Sequence, residues 1–161
     1  MILKESANRL QSMKILYEKL FRFESYSELS LKLFLPQLLN DIIKTFHTDE
    51  PVMMELEIED IILPPEYLAP LGIITNELIS NSFKYGFPHS KEKRISLFAR
   101  KNHKLITLVY LDNGTGLPED FQIEHSPGFG MQLIRMLVQQ IKGEFSFRTG
   151  RNAEFCIQFY V

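Results

Sequence analysis

Glu77, Asn81 and Lys84 carry the most specific chemical signal in the chain. They fall at i, i+4 and i+7 of the run Ile74-Thr75-Asn76-Glu77-Leu78-Ile79-Ser80-Asn81-Ser82-Phe83-Lys84-Tyr85, which reads as a mostly apolar helix. That spacing puts the three side chains on one face. A carboxylate, an amide and an amine on one stripe of a largely buried helix are costly unless something polar binds there. Magnesium carrying phosphates fits. The Asn81 oxygen suits a hard cation, the Lys84 amine suits phosphate oxygens, and the Glu77 carboxylate can orient an attacking group. For this helix alone, a plain Glu77–Asn81 or Asn81–Lys84 surface pair competes with that reading.

Two glycine-rich segments follow it. Asp112-Asn113-Gly114-Thr115-Gly116 comes after a strand-like run, and Gly128-Phe129-Gly130 leads into a helical one. Each is weak alone. Asn-Gly makes ordinary turns, and a calcium loop would need alternating acidic ligands and a closing glutamate that are missing here. Together with the striped helix they make a nucleotide site. Asp112 can accept a hydrogen bond from an adenine amino group, a contact that rejects the carbonyl of guanine. Gly114 and Gly116 let the backbone approach a flat base. Gly128 and Gly130 expose N–H groups at a helix start, which suits phosphate. Glu119 to Pro127 has little periodicity and is expected to be mobile, and Leu117 to Pro127 is placed to act as a lid that orders over bound nucleotide.

The elements that must position these residues follow from periodicity. Leu3 to Phe21 reads as an amphipathic helix whose apolar face is too wide to leave wet. Packing on a second copy through Met13, Leu16, Tyr17 and Leu20 is expected. A second helix runs from about Glu28 to Phe46, capped by Ser27 and kinked or split at Pro36. Val52–Ile58, Arg94–Arg100, Lys104–Leu111, Glu144–Arg148 and Ala153–Val161 read as strands. Helices are expected near Leu31–Phe46, Glu66–Tyr85 and Met131–Lys142. The expected architecture is α/β: a two-layer α/β sandwich with a mixed, mainly antiparallel sheet, helices on one face, and an additional N-terminal helix.

Composition narrows the classes. The chain has 161 residues, 45% of them hydrophobic, enough for one domain with a helical appendage. A formal net charge of -2 gives no electrostatic case for nucleic acid. Cys156 is the single cysteine, so no internal disulfide or multi-cysteine zinc site can form. No apolar run approaches the roughly 18 residues that span a bilayer, and Met1 to Ser6 does not resemble a secretory signal. A cytoplasmic segment without membrane contact is expected.

The ordered set of motifs resembles the ATPases of the gyrase, heat-shock chaperone, mismatch-repair and histidine kinase superfamily, with its Bergerat-type fold. Within it the sensor histidine kinases match best. Asn76 to Tyr85 looks like their N box, Asp112 to Gly116 like their G1 box, and Gly128 to Ile134 like their G2 box. Arg9 to Phe21 is similar to the second dimerisation helix of one histidine kinase subgroup. The resemblance extends from about Leu10 to Phe159. It implies a remnant of a dimerisation and phosphoacceptor hairpin over residues 1–26 and an ATP-binding catalytic domain over residues 27–161. It implies that Asn81 holds Mg2+. Asp112, Gly114, Gly116, Gly128, Gly130 and Met131 would bind ATP, Lys84 would contact phosphate, and Glu77 would polarise the attacking histidine. The implied partners are a second copy of the chain and a response regulator receiver domain.

Two departures matter. A small hydroxyl residue is common in the family before the last strand, where Ala153 stands here, putting one minor phosphate-side contact in doubt. The family's phosphoacceptor lies on a helix upstream, whereas the four histidines, His47, His89, His103 and His125, sit in loop-like segments. ATP binding without self-phosphorylation is therefore expected. The alternatives are a serine kinase of the anti-sigma type, an ATP-hydrolysing clamp in which Glu77 activates water, and a scaffold with a degenerate site. The N-terminal helix argues against the first. The lack of a following transducer argues against the second, and the intact motif residues argue against the third.

Overall fold

The structure is a computed structural model. It describes residues 11, 13–15, 17–18, 28–46, 48, 50–88, 90–126 and 129–161. Five strands form one mixed sheet: β2 (Val52–Ile58), β4 (Lys93–Asn102), β5 (Leu105–Asp112), β6 (Glu144–Arg148) and β7 (Ala153–Tyr160), in the order β2-β4-β5-β7-β6. Only the β2–β4 pair is parallel. Strict alternation explains the layering. Ile106, Leu108 and Tyr110 of β5, with Phe155, Ile157 and Phe159 of β7, are buried on one face. Val109, Leu111 and Cys156 on the other face are only half-buried.

Helices α1 (Leu31–Thr45), α2 (Pro65–Asn81) and α3 (Gly130–Gln140) cover the buried face. The expected two-layer sandwich is the fold observed. Pro36 lies inside α1 and neither splits it in two nor ends it. A proline inside a helix costs about 3 kcal/mol. Leu31, Phe34, Leu35, Leu38, Leu39 and Ile42 are fully buried along one stripe of α1, and each such side chain contributes about 1.5–3 kcal/mol. Packing outweighs the local penalty.

The start of α1 agrees with the expected architecture, Leu31, and not with the periodicity estimate, Glu28. Leu29–Ser30 is a short strand, β1, paired antiparallel with β3 (Ile62–Leu63). Ser30 Oγ donates to Asp60 Oδ1 at 2.5 Å, and the Leu31 N–H donates to the Ile61 carbonyl at 2.8 Å. This clamp sets where the helix begins, three residues later than Glu28. The expected cap, Ser27, lies outside the described residues.

Of the N-terminal helix, Gln11, Met13–Ile15, Tyr17 and Glu18 are described, and they are helical. Ile15 packs on the core, whereas Tyr17 is 57% exposed. Leu16, Leu20 and the expected domain boundary after residue 26 lie outside the described residues. Among the described residues no helix is long and apolar enough to cross a membrane.

Candidate functional site

Helix α2 is apolar nearly all round and begins with Pro65 in its first turn, where the missing N–H costs nothing. Glu77 is 3% exposed, an unusual place for a carboxylate. One turn on, Asn81 is half-buried and its Nδ2 donates to Met131 Sδ at 3.4 Å. That contact turns the amide so that its oxygen is the atom left to coordinate. Gly130 opens α3 beside both residues. A Cβ placed there would lie 2.8 Å from Glu77 Oε2 and 3.7 Å from Asn81 Oδ1. The first turn of α3 carries no acidic residue, so its N-terminal dipole favours an anion. Glu77, Asn81, Gly130 and Met131 thus meet at one place. Gly128 lies outside the described residues.

Lys84 lies past the end of that regular helix. Beyond Asn81 the helix widens into a π turn, Ser82–Gly86. The i→i+5 winding breaks the 3.6-residue period on which the i+7 placement relied. Lys84 is exposed, with its ammonium 5.2 Å from the centre of the Tyr85 ring. The turn is held by Phe83, stacked on Phe46 at 4.2 Å and edge-on to Phe87.

The same turn reaches the end of β5. Asp112 is 4% exposed there. Ser82 Oγ donates to its Oδ2 at 2.5 Å, and the Gly114 N–H donates to its Oδ1 at 2.9 Å. Burial pushes the Asp112 carboxyl above its ordinary range, and these two hydrogen bonds pull it back. Tyr110 Oη lies 2.8 Å from Ser82 Oγ, and burial followed by the nearby Asp112 charge raises its pKa well above normal.

Close backbone approach explains the glycines. A Cβ on Gly114 would sit 2.5 Å from the Gly86 Cα, so the loop and the π turn touch directly. Gly116 has φ +77, and a Cβ there would fall 1.7 Å from the Gly150 carbonyl oxygen. Asn113 pins the loop to β4, accepting from the Arg94 N–H at 2.7 Å and donating to the Glu92 carbonyl at 3.1 Å. Asp112 and Asn81 therefore belong to one region, linked through Ser82.

The segment expected to be a mobile lid makes several contacts where it is described. The Gly150 N–H donates to the Leu117 carbonyl at 3.0 Å. Phe121 meets Phe147 edge-on at 5.3 Å, and Glu124 pairs with Arg135 of α3. Pro127 lies outside the described residues. Ser82 and Tyr110 are the site residues that sequence reasoning missed. Nothing in the sequence singles them out: Ser82 stands among Ser80, Asn81 and Lys84, and Tyr110 shares its strand with Thr107. Among the described residues no cluster of three or more His, Cys, Asp or Glu is placed to hold a metal. A magnesium ion would therefore rely on Asn81 together with nucleotide phosphates, a usual arrangement for this ion.

Comparison with known proteins bears on this geometry. A family model described as "Histidine kinase" matches residues 1–46. The sensor histidine kinase PdtaS of Mycobacterium tuberculosis is 26% identical over 116 residues, covering 71% of this chain and 23% of that protein. Blue-light-activated histidine kinase 2 of Erythrobacter litoralis is 20% identical over 100 residues, 62% of this chain and 29% of that protein. The chain thus spans under a third of either relative. In fold it is similar to the histidine kinase domain of a blue-light activated histidine kinase from Erythrobacter litoralis. The TM-score is 0.80 at 17% identity, covering 97% of this chain and 74% of that one. The histidine kinase AdeS of Acinetobacter baumannii gives 0.62 at 15% identity, covering 96% and 76%. These matches do not favour the anti-sigma serine kinase alternative.

Proposed function

We propose, on the premise that the chain belongs to the histidine kinase family, that it binds magnesium–ATP and delivers the γ-phosphoryl group to a histidine that lies outside this chain. The observation that carries this reading is the meeting of Glu77, Asn81 and Gly130 beside an acid, Asp112, held from the same helix. Asp112 would accept from the adenine amino group. The N–H groups at the start of α3 would face phosphate oxygens, and Asn81 Oδ1 would ligate the ion. The ion would neutralise phosphate charge when bound. Glu77, adjoining Asn81, would accept a proton or hydrogen bond from the attacking imidazole. Such transfer depends mainly on positioning and charge neutralisation, so rigid placement is the contribution expected of the protein. Lys84, exposed at the π turn, would contact phosphate.

Titration calorimetry with magnesium–ATP and magnesium–GTP tests this. ATP should bind measurably and GTP hardly at all. Asp112→Asn and Asn81→Ala should each weaken ATP binding by about tenfold or more, the worth of a charge-assisted contact. Equal affinity for the two purines would sink the reading.

Homodimerisation through the N-terminal helix and phosphotransfer to a response regulator receiver domain belong to the same proposal. Leu16→Glu with Leu20→Glu should yield a monomer that still binds ATP. A wild-type chain that sediments as a monomer would remove the dimer. His103 lies in a tight turn with φ 54, a setting unlike a helical phosphoacceptor. Incubation with labelled ATP should leave no acid-labile phosphate on this chain.

A further inference from the structure

We propose that Ser82 is the positioning residue of the purine-reading acid: its hydroxyl, delivered by the π turn of α2, fixes the Asp112 carboxylate for the 6-amino group. The inference rests on the reading of Asp112 as the adenine contact. Ser82 is 2% exposed, and its Oγ has three neighbours: Asp112 Oδ2 at 2.5 Å, Tyr110 Oη at 2.8 Å and the Leu78 carbonyl at 3.1 Å. A serine has a single proton to donate. With Asp112 ionised, that proton goes to the carboxylate, because a charge-assisted bond is stronger than one to a carbonyl. Tyr110 then donates into Ser82.

The Gly114 N–H holds the other carboxylate oxygen at 2.9 Å. With both oxygens engaged, the plane of the carboxyl group is fixed. Among the described residues no other hydroxyl donates to Asp112. Across the β4–β5 and β5–β7 pairs the partners of Asp112 are Ile95 and Ala153, neither able to donate from its side chain. Ala153 therefore stands on the base side of the site. Among the described residues the titratable group facing Asp112 is Tyr110, on the same strand. Ser82 and Gly86 face it from the π turn, and Gly114 faces it from the loop.

A serine that merely satisfied a buried tyrosine would not affect nucleotide choice or its pH dependence. Binding of magnesium–ATP and magnesium–ITP, whose base carries a 6-oxo group, is to be measured from pH 5 to 8 on wild type, Ser82→Ala, Ser82→Thr and Tyr110→Phe. Ser82→Ala should lose about tenfold in ATP affinity at neutral pH and part of the preference over ITP. Removing a bond that favours the ionised acid raises its pKa, so ATP binding should fail at a higher pH than in wild type. Ser82→Thr, which keeps the hydroxyl, should restore both. Tyr110→Phe should change less, since Ser82 keeps its proton for the acid.

If wild type binds ATP and Ser82→Ala matches it in affinity and pH profile, the inference is overturned. If wild type binds no ATP, the functional reading fails instead. The Ser82–Asp112 link is then tested without nucleotide, by carbon NMR titration of the Asp112 carboxyl. Its midpoint should rise in Ser82→Ala and return in Ser82→Thr, and an unmoved midpoint overturns the link. Should Ser82→Ala not fold, Ser82→Cys keeps the volume with only a weak donor and carries the same expectations.

Discussion

Gly130 and Glu77 touch across the α2–α3 interface: a Cβ on the glycine would come within 2.8 Å of the Glu77 carboxylate oxygen. The atom it would meet is the far end of a side chain, so the carboxylate can move aside. Gly130→Ala is expected to fold with a melting temperature close to wild type. Phosphoryl transfer to a histidine-bearing acceptor supplied on a separate chain should nonetheless fall by about a hundredfold, the order of loss from misplacing a reacting group by about 1 Å. Paired melting and transfer assays check this, and unaltered transfer would show that Glu77 is not held by this contact.

Gly114 offers the opposite case. Its added Cβ would meet the backbone of Gly86 at 2.5 to 2.6 Å, and backbone cannot swing away. Gly114→Ala should destabilise the fold by about 1–3 kcal/mol, the usual cost of overpacking. Urea denaturation would read this as a lower midpoint at constant slope. A midpoint within error of wild type would mean that loop and π turn separate freely in solution.

Asp112 yields a pH signature in stability. Burial raises its folded pKa above the unfolded value. Its favourable contribution is thus complete below the unfolded pKa and is lost as pH rises through the folded pKa. Near neutral pH the ionised acid costs stability that a neutral amide does not. Asp112→Asn should therefore melt higher than wild type at pH 7 while losing ATP. The gap should close as pH falls below the folded pKa. Melting curves across pH 4 to 8 check it, and a gap independent of pH would contradict the assignment.

The sandwich and much of the site were legible before any coordinates. Glu77 and Asn81 share a turn of regular helix, so counting residues placed them together. The alternation in β5 and β7 sorted buried from half-exposed faces for the same reason: a fixed period converts sequence into direction. The i+7 count to Lys84 crosses into a π turn at Ser82, and nothing local in Ser82 to Gly86 marks an i→i+5 turn. The β1–β3 clamp escaped because two-residue strands are too short to show alternation.

Residue order by itself set the secondary structure wherever the repeat was long, and it set the inventory of reactive groups. Tertiary packing alone decided that α1 runs through Pro36, because six buried side chains outweigh one lost hydrogen bond. It alone brought the Ser82 hydroxyl to Asp112, two residues thirty positions apart. Such pairings depend on how helix and sheet pack in three dimensions, and that information is spread over the whole core rather than written at either residue.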